Sequence, residues 1–208
     1  MTKSISQIRD EIVAKYTSIE AGYVNNPNDL GGETNHGITY AVAMRHKNEL
    51  VRNFKWDGTM RNLTVPMARH IYILDYWNKC YLDHVVVRHV ELADKLFDIA
   101  INAGVSRAGR WFQEIVASLG NNGRYNKASS NPRFIDGWIG KGTMEAYEGV
   151  IKARGELGKQ IILHALIAKQ TVHYVDISLS RQANQTFTFG WLRRAYDTTK
   201  GYLGSLYR

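Results

Sequence analysis

The sequence is poor in cysteine and proline and has no long apolar run. Its 208 residues include one cysteine, Cys80, and three prolines. A lone cysteine excludes an intrachain disulfide, so folding needs no oxidising compartment. The most apolar segment, residues 161–168, is interrupted by His164 and is far shorter than the roughly 20 residues that span a bilayer. We therefore expect no stable membrane association, and the charged N-terminus lacks the apolar core of an export signal.

Acidic residues are also scarce relative to basic ones. The chain has 19 Asp and Glu against 27 Lys and Arg, which gives a net charge of +8 at pH 7. This excess favours a polyanionic partner. Up to Gly104 the chain carries 12 basic and 12 acidic residues, and after it 15 and 7, so the whole net charge lies in the C-terminal half. A hydrophobic content of 44% excludes a disordered chain.

The spacing of apolar residues predicts a mostly α-helical protein. Ser4 and Gln7 form a capping-box pattern before apolar residues that recur at intervals of three and four from Ile5 to Ile19. Strand signals are thin and limited to residues 85–87 and 184–190. Further helices are predicted at 39–50, 64–74, 90–102, 107–119 with Ser106 as its cap, a short stretch from Gly142, 156–180 and 189–200.

Residues 23–37 form a segment dominated by Asn, Gly, Asp and Pro. This composition predicts a loop. Loops of about 15 residues without secondary structure are uncommon inside compact domains and are usually functional or disordered. Because apolar helices flank this segment, a functional loop is the better interpretation.

Glu20 stands at the predicted end of the first helix, directly before this loop. The partial negative charge of a helix C-terminus disfavours an ionised carboxylate, so we expect a raised pKa for Glu20. A general acid needs such a shift, because an ordinary Glu has lost its proton at neutral pH. By position alone, a solvated surface residue is the more common case for such a glutamate.

Asp29 and Glu33 lie in the loop beyond Glu20 and offer the second carboxylate that glycoside hydrolysis usually requires. Asp29 also fits a turn residue that bonds to its own backbone. Thr34, Asn35 and Thr39 provide polar groups that can hold a water molecule.

The segment EAGYVNNPNDLGGETNHGIT, residues 20–39, resembles the E-G-G-Y-x-N-x-P-x-D-x-G-G-x-T-x-x-G-I-T signature of glycoside hydrolase family 108. This family consists of phage and bacterial N-acetylmuramidases. The resemblance implies that Glu20 is the catalytic acid. The signature departs at Ala21, where the family generally has glycine, which affects only the expected backbone turn.

Other stretches extend the resemblance over most of the chain. YWNKCYLD (76–83) and FDIAINAG (97–104) are similar to family motifs, and the rest is similar to the peptidoglycan-binding region that accompanies the family. Residues 140–143 depart from its usual Gly-Pro-x-Thr by losing the proline. The segments that resemble this region are RAGRWFQ (107–113), IDGWIGKGTMEA (135–146) and FGWLRRAYD (189–197).

The resemblance implies a lysozyme-like helical fold whose two lobes pack as one body, with a catalytic region at 1–95 and a peptidoglycan-binding region at 96–208. The implied reaction cleaves the β-1,4 bond between N-acetylmuramic acid and N-acetylglucosamine. Asp29 is the expected stabilising or water-activating partner of Glu20, and Thr34 completes the catalytic set. The neutral half is expected to cut the glycan and the basic half to hold the anionic wall. Expected substrate-binding residues are Tyr23, Asn25, Glu33, Asn35, His36, Thr39, Trp111 and Trp191.

No cofactor is expected, and no metal, because the seven histidines are scattered and no H-E-x-x-H motif occurs. A lytic transglycosylase acting on the same bond is the main alternative. A nucleic-acid-binding module is disfavoured. A helix that binds a duplex gathers its basic residues on one face, whereas those of the C-terminal half are spread along the chain. We expect a monomeric endolysin held in the host cytoplasm until a holin opens the membrane, or an enzyme carried in the virion.

Overall fold

The computed structural model describes residues 3–19, 22–25, 32–128, 131 and 133–203. Glu20 and Asp29 lie outside the described residues. The chain divides into two compact units, residues 1–90 and 91–208. Helices make up most of both units, so the predicted mostly α fold class is confirmed. The regional boundary expected after residue 95 stays a prediction.

The first unit begins with helix α1 (Ile5–Ile19). The Gln7 amide donates to Ser4 Oγ at 3.2 Å, and the Ser4 amide donates to Gln7 Oε1 at 2.8 Å. The predicted capping box is therefore confirmed. The buried face of α1 is shorter than the apolar pattern predicts. Ile5 at the start of the helix is exposed, whereas Ile12 and Tyr16 are buried.

A small antiparallel sheet follows, built from β1 (Tyr23–Val24), β2 (Thr34–Asn35) and β3 (Ile38–Thr39) in the order β1-β2-β3. His36 and Gly37 join β2 to β3 with φ angles of 50° and 74°, as in a type I′ hairpin turn. The expected loop therefore contains strands, which at two residues each are too short to show alternation in the sequence. The register pairs Tyr23 with Asn35, Val24 with Thr34, Thr34 with Thr39, and Asn35 with Ile38.

Short helices complete the first unit. A single helix is predicted at 39–50, but the structure has two helices that meet at His46. The imidazole of His46 bonds to the buried carboxylate of Asp75. The weak strand signal at 85–87 falls at a helix. The elements are α2 (Tyr40–Arg45), α3 (Lys47–Phe54), a 3-10 turn (Met60–Asn62), α4 (Val65–Tyr72), a π-helical turn (Ile73–Trp77) and α5 (Leu82–Val86).

The π-helical turn carries a buried carboxylate, Asp75. Its Oδ2 lies 2.8 Å from His46 Nε2 and 3.3 Å from an Arg45 guanidinium nitrogen, and its Oδ1 accepts from Lys79 Nζ at 2.6 Å. Burial by itself raises the pKa of Asp75, but the bonds from Lys79 and His46 outweigh it and lower the pKa from 3.8 to about 2. This cluster ties α2 and α3 to the end of α4.

Acid is expected to destabilise the protein through Asp75. A carboxylate with a depressed pKa stabilises the fold above its unfolded-state pKa, and this contribution is lost as the pH falls from about 4 to about 2. The shift corresponds to about 2 kcal/mol. The free energy of unfolding, measured with urea from pH 2 to pH 6, should depend less on pH in Asp75→Asn than in the wild type. Asp10→Asn, which removes an exposed carboxylate, should keep the wild-type dependence; identical profiles for all three proteins would contradict the prediction.

The second unit consists of long helices. Helix α7 begins at Val105 after Gly104, so Ser106 lies inside the helix instead of capping it. Helix α8 is interrupted at Gly155, whose φ of 57° and ψ of −144° separate the two helices predicted there. Across the described part of the chain, no helix is both long and apolar enough for a membrane span. The elements are α6 (Val90–Ala103), α7 (Val105–Ser118), α8 (Lys141–Ser180), a 3-10 turn (Gln182–Asn184) and α9 (Gln185–Leu203).

A polar network is buried in the core of the second unit. Lys95 is 0% exposed, and its Nζ lies 3.0 Å from Asp98 Oδ2 and also bonds to Gln170 Oε1. Gln170 Nε2 donates to Asp98 Oδ2 at 3.0 Å and to the Tyr174 hydroxyl at 2.9 Å. The network therefore links α6 to α8 through charged and amide groups.

Candidate functional site

The β2–β3 hairpin is fixed to the 3-10 turn by Asn35. The side chain of Asn35 is buried, and its Nδ2 donates to the carbonyl oxygens of Met60 at 2.7 Å and Leu63 at 3.3 Å. These bonds fix the position of the hairpin relative to the 3-10 turn. The substrate contact expected of Asn35 stays a prediction; the observed role of its amide is to hold the backbone of the site.

A tyrosine, a carboxylate and a guanidinium meet at the start of this sheet. The Tyr23 hydroxyl donates to Glu33 Oε1 at 2.7 Å, and the Arg61 guanidinium lies 4.0 Å from the centre of the Tyr23 ring. The hydrogen bond to Glu33, together with partial burial and the Glu33 charge, raises the pKa of Tyr23. Tyr23 therefore stays a protonated donor at neutral pH, and it holds the Glu33 carboxylate in one orientation.

The two threonines of the hairpin use their hydroxyls locally. Thr34 Oγ1 donates to the Gly32 carbonyl at 3.2 Å. Thr39 caps α2, because its Oγ1 accepts from the Val42 amide at 3.4 Å. Asn25, directly after β1, is exposed. The structure thus brings the expected residues Tyr23, Asn25, Glu33, Thr34, Asn35 and Thr39 onto or beside one small sheet.

His36 occupies the turn of the hairpin in a conformation that is uncommon for a residue other than glycine. Its carbonyl oxygen accepts from the Tyr72 hydroxyl at 3.2 Å, which ties the turn to α4. Its Nδ1 is buried, and among the buried side-chain nitrogen and oxygen atoms of the described residues it is the one without a hydrogen-bond partner. A buried polar atom without a partner is costly, so a polar group brought to Nδ1 would stabilise this turn.

Arg61 joins the site from a distant part of the sequence by stacking on Tyr23. Arg69 contacts α1 instead, since its Nε lies 3.3 Å from Thr17 Oγ1 in the last turn of that helix. Thr17 stands three residues before Glu20 in the chain. Neither arginine is recognisable from the sequence, because nothing in its local pattern distinguishes it from a solvated surface residue.

The two tryptophans expected to bind the wall have different surroundings. Trp191 stacks with Tyr174 and Phe187, with ring centres 5.7 and 5.9 Å apart. Trp111 instead lines a cavity of about 340 Å³ together with Arg107 and Arg110. The structure therefore places Trp191 in an aromatic cluster and Trp111 in the wall of a cavity.

Trp138 is an exposed aromatic residue that sequence analysis did not select. Its side chain is 63% exposed, while its backbone is held on α7 by Gln113, whose Nε2 donates to the Trp138 carbonyl at 3.0 Å and whose Oε1 accepts from the Gly137 amide at 2.8 Å. A Cβ at Gly109 would clash with the Gly137 carbonyl, so the segment sits directly on the helix backbone. The signal was a lone tryptophan in a polar, glycine-rich stretch.

Within the described ranges, no group of three or more His, Cys, Asp or Glu side chains has an arrangement that could hold a metal ion.

Comparison with known families assigns both halves of the chain. Residues 13–104 match glycosyl hydrolase 108, and residues 107–196 match a family described as a predicted peptidoglycan domain. The protein is therefore a glycoside hydrolase that acts on peptidoglycan. Residues 13–104 are a glycosyl hydrolase 108 domain, and residues 107–196 are a C-terminal peptidoglycan domain.

A solved structure with a similar fold is that of Brucella abortus SagA. It is 25% identical in sequence, the match covers 96% of this chain and 95% of that chain, and the TM-score is 0.65. No curated protein sequence matches this chain. The sheet with Tyr23 and Glu33 lies within the hydrolase match, whereas Trp111, Trp138 and Trp191 lie within the peptidoglycan domain.

Proposed function

We propose that the protein is an N-acetylmuramidase that hydrolyses the β-1,4 bond between N-acetylmuramic acid and N-acetylglucosamine. The observation that carries this proposal is the glycosyl hydrolase 108 match over residues 13–104, which contains the signature that begins at Glu20. The bond and the residue roles below follow from the resemblance of this signature and from the chemistry of the side chains.

In the proposed reaction Glu20 is the general acid. Its carboxyl proton passes to the glycosidic oxygen while the bond from that oxygen to the anomeric carbon of N-acetylmuramic acid breaks, and positive charge develops on the sugar. Asp29 accepts a proton from the attacking water, or it stabilises this charge while the Glu20 carboxylate takes that proton, and Thr34 orients the water. The water oxygen forms the new bond to the anomeric carbon, so the products are two shorter glycan chains.

The described residues of the sheet support substrate positioning. Glu33 is oriented through Oε1 by Tyr23, and its other oxygen suits a sugar hydroxyl or an N-acetyl N–H group. The Arg61 guanidinium stacks on the Tyr23 ring and restricts its position. We assign Tyr23, Asn25, Glu33 and His36 to substrate contacts, with Asn35 and Thr39 supporting the backbone between them.

The second unit is proposed to retain the enzyme on the wall. Its match to a peptidoglycan domain and its net positive charge support this role. Lysis of a bacterial host at the end of phage infection is the biological role that we propose, with release from the host cytoplasm through a holin lesion. The resemblance to phage muramidases supports it.

The products of digestion test the proposed bond. We expect purified sacculi treated with the protein to release muropeptides that end in a reducing N-acetylmuramic acid, because water adds at its anomeric carbon. Mass spectrometry before and after borohydride reduction identifies this end. Products lighter by one water, with an anhydro ring that borohydride does not reduce, would instead show a lytic transglycosylase. Reducing N-acetylglucosamine ends would place the cut at the other glycosidic bond.

A further inference from the structure

We propose that the cavity beside Arg107 and Arg110 binds a free carboxylate of the peptidoglycan stem peptide. This inference rests on the proposed function, since it takes peptidoglycan as the ligand, and it assigns the peptide as the part of the polymer that the second unit recognises. The cavity has a volume of about 340 Å³ and is lined by Ala103, Gly104, Ser106, Arg107, Arg110 and Trp111.

Both guanidinium groups have donors to spare. Arg107 donates to the Ala103 carbonyl at 2.8 Å and lies 3.4 Å from His173 Nε2, while Arg110 reaches the Ile135 carbonyl at 3.5 Å. Each guanidinium carries five N–H donors, so most of them remain for a ligand. Among the described residues, no carboxylate lies within 4.0 Å of either group. Two arginines three residues apart on a helix face the same side, which suits a planar carboxylate.

Two titratable side chains, His173 and Asp136, lie close to the arginines of the cavity. The His173 ring meets Trp111 edge-on, with ring centres 5.6 Å apart. Burial and the positive charge of Arg107 lower the pKa of His173, against the opposite effect of Asp176. Asp136 is the acidic side chain on which the charge of Arg110 acts, but its Oδ1 already accepts from Gln113 and from the Trp138 amide. No ion pair within 4.0 Å joins Asp136 to Arg110, whose hydrogen bond goes to the Ile135 carbonyl, so N–H groups of both arginines remain available to an external anion.

The chemistry of peptidoglycan identifies which anion fits. The lactyl carboxyl group of N-acetylmuramic acid is consumed in the amide bond to the peptide, so the free carboxylates of the intact polymer belong to the stem peptide. The indole of Trp111 supplies an apolar wall beside the two cations, which suits the aliphatic part of an amino acid next to its carboxylate. Uncharged glycan alone would leave both guanidinium groups without a partner.

Cosedimentation with sacculi tests this assignment. The full chain is mixed at 4 °C with purified sacculi free of teichoic acid, and with the same sacculi after carbodiimide and methylamine have converted their carboxylates into amides. We expect Arg107→Gln/Arg110→Gln to weaken binding to intact sacculi by at least about tenfold. Amidation should weaken wild-type binding by a similar factor and have little further effect on the double variant. Arg124→Gln/Arg133→Gln removes the same charge from exposed positions of the second unit and should stay within about twofold of wild type.

Three outcomes would overturn the assignment. Equal losses in the two double variants would indicate general attraction to the wall, and unchanged wild-type binding to amidated sacculi would exclude the carboxylate. If amidation weakened the binding of Arg107→Gln/Arg110→Gln as much as it weakens wild-type binding, the carboxylate would be recognised elsewhere on the protein. Circular dichroism confirms that each variant is folded. Product analysis on the same sacculi reports the cleaved bond, so failure of the muramidase proposal is distinguishable from failure of this one.

Discussion

Replacing Glu20 with glutamine is expected to reduce clearing of outer-membrane-stripped cells by about 10²- to 10⁴-fold, the usual contribution of a general acid. The amide has nearly the same shape but carries no acidic proton for the departing glycosidic oxygen. Turbidity loss and the release of reducing ends, measured on the same samples, give the rate. Binding of the variant to sacculi should remain within about twofold of wild type, because the loss concerns the transition state.

Glu11→Gln is the matched control for this variant. Glu11 is also in the first unit and is an exposed residue of α1 that pairs with Lys3 at 2.7 Å, so the same substitution there should leave the rate unchanged. A folded Glu20→Gln protein that clears cells as fast as Glu11→Gln would refute the role of Glu20 as the acid. Equal losses in both variants would point to a general effect of charge.

Replacing Asp98 with leucine is expected to destabilise the second unit by about 3–5 kcal/mol. Lys95 is fully buried, and the substitution would remove the carboxylate that lies 3.0 Å from its ammonium group. Gln170 would lose an acceptor for its Nε2 at the same time. Urea or thermal unfolding measures the change, and Asp176→Leu, at an exposed position of α8, should cost far less.

The double variant Lys95→Met/Asp98→Leu separates two sources of this loss. If loss of the carboxylate beside the buried ammonium group dominates, removing both charges should recover a large part of the stability, because apolar side chains often replace a buried ion pair without cost. If the double variant is as unstable as Asp98→Leu, the buried charge of Lys95 is not the cause of the loss. The bonds that Asp98 accepts from Gln170 and Asn102 then account for it.

Local signals in the sequence located most helices, and the structure explains where they failed. The Ser4–Gln7 capping box and the break at Gly155 are interactions or torsions of a few neighbouring residues, so the sequence shows them directly. The division of 39–50 into two helices at His46 was not visible. The imidazole of His46 bonds to Asp75, which is 29 residues away, and only the folded chain brings the two together.

The candidate site shows the same limit. The motif from Glu20 to Thr39 indicated the family, yet it did not show that the buried Asn35 side chain bonds to the Met60 carbonyl or that Arg61 stacks on Tyr23. An arginine stacked on a tyrosine 38 residues earlier has no sequence signature, because stacking depends on the path of the chain between them. The roles of Glu20 and Asp29 remain predictions from the motif.

By itself, the sequence determined the helical fold class, the family and the excess of positive charge in the C-terminal half, because these depend on composition, periodicity and local motifs. Tertiary structure decided which side chains surround the tryptophans. Trp191 and Trp111 both have arginine neighbours in the sequence, but Trp191 stacks in an aromatic cluster whereas Trp111 lines a cavity together with two arginines. The physical reason is that exposure and the choice of partners depend on residues distant in the chain, which packing alone brings into contact.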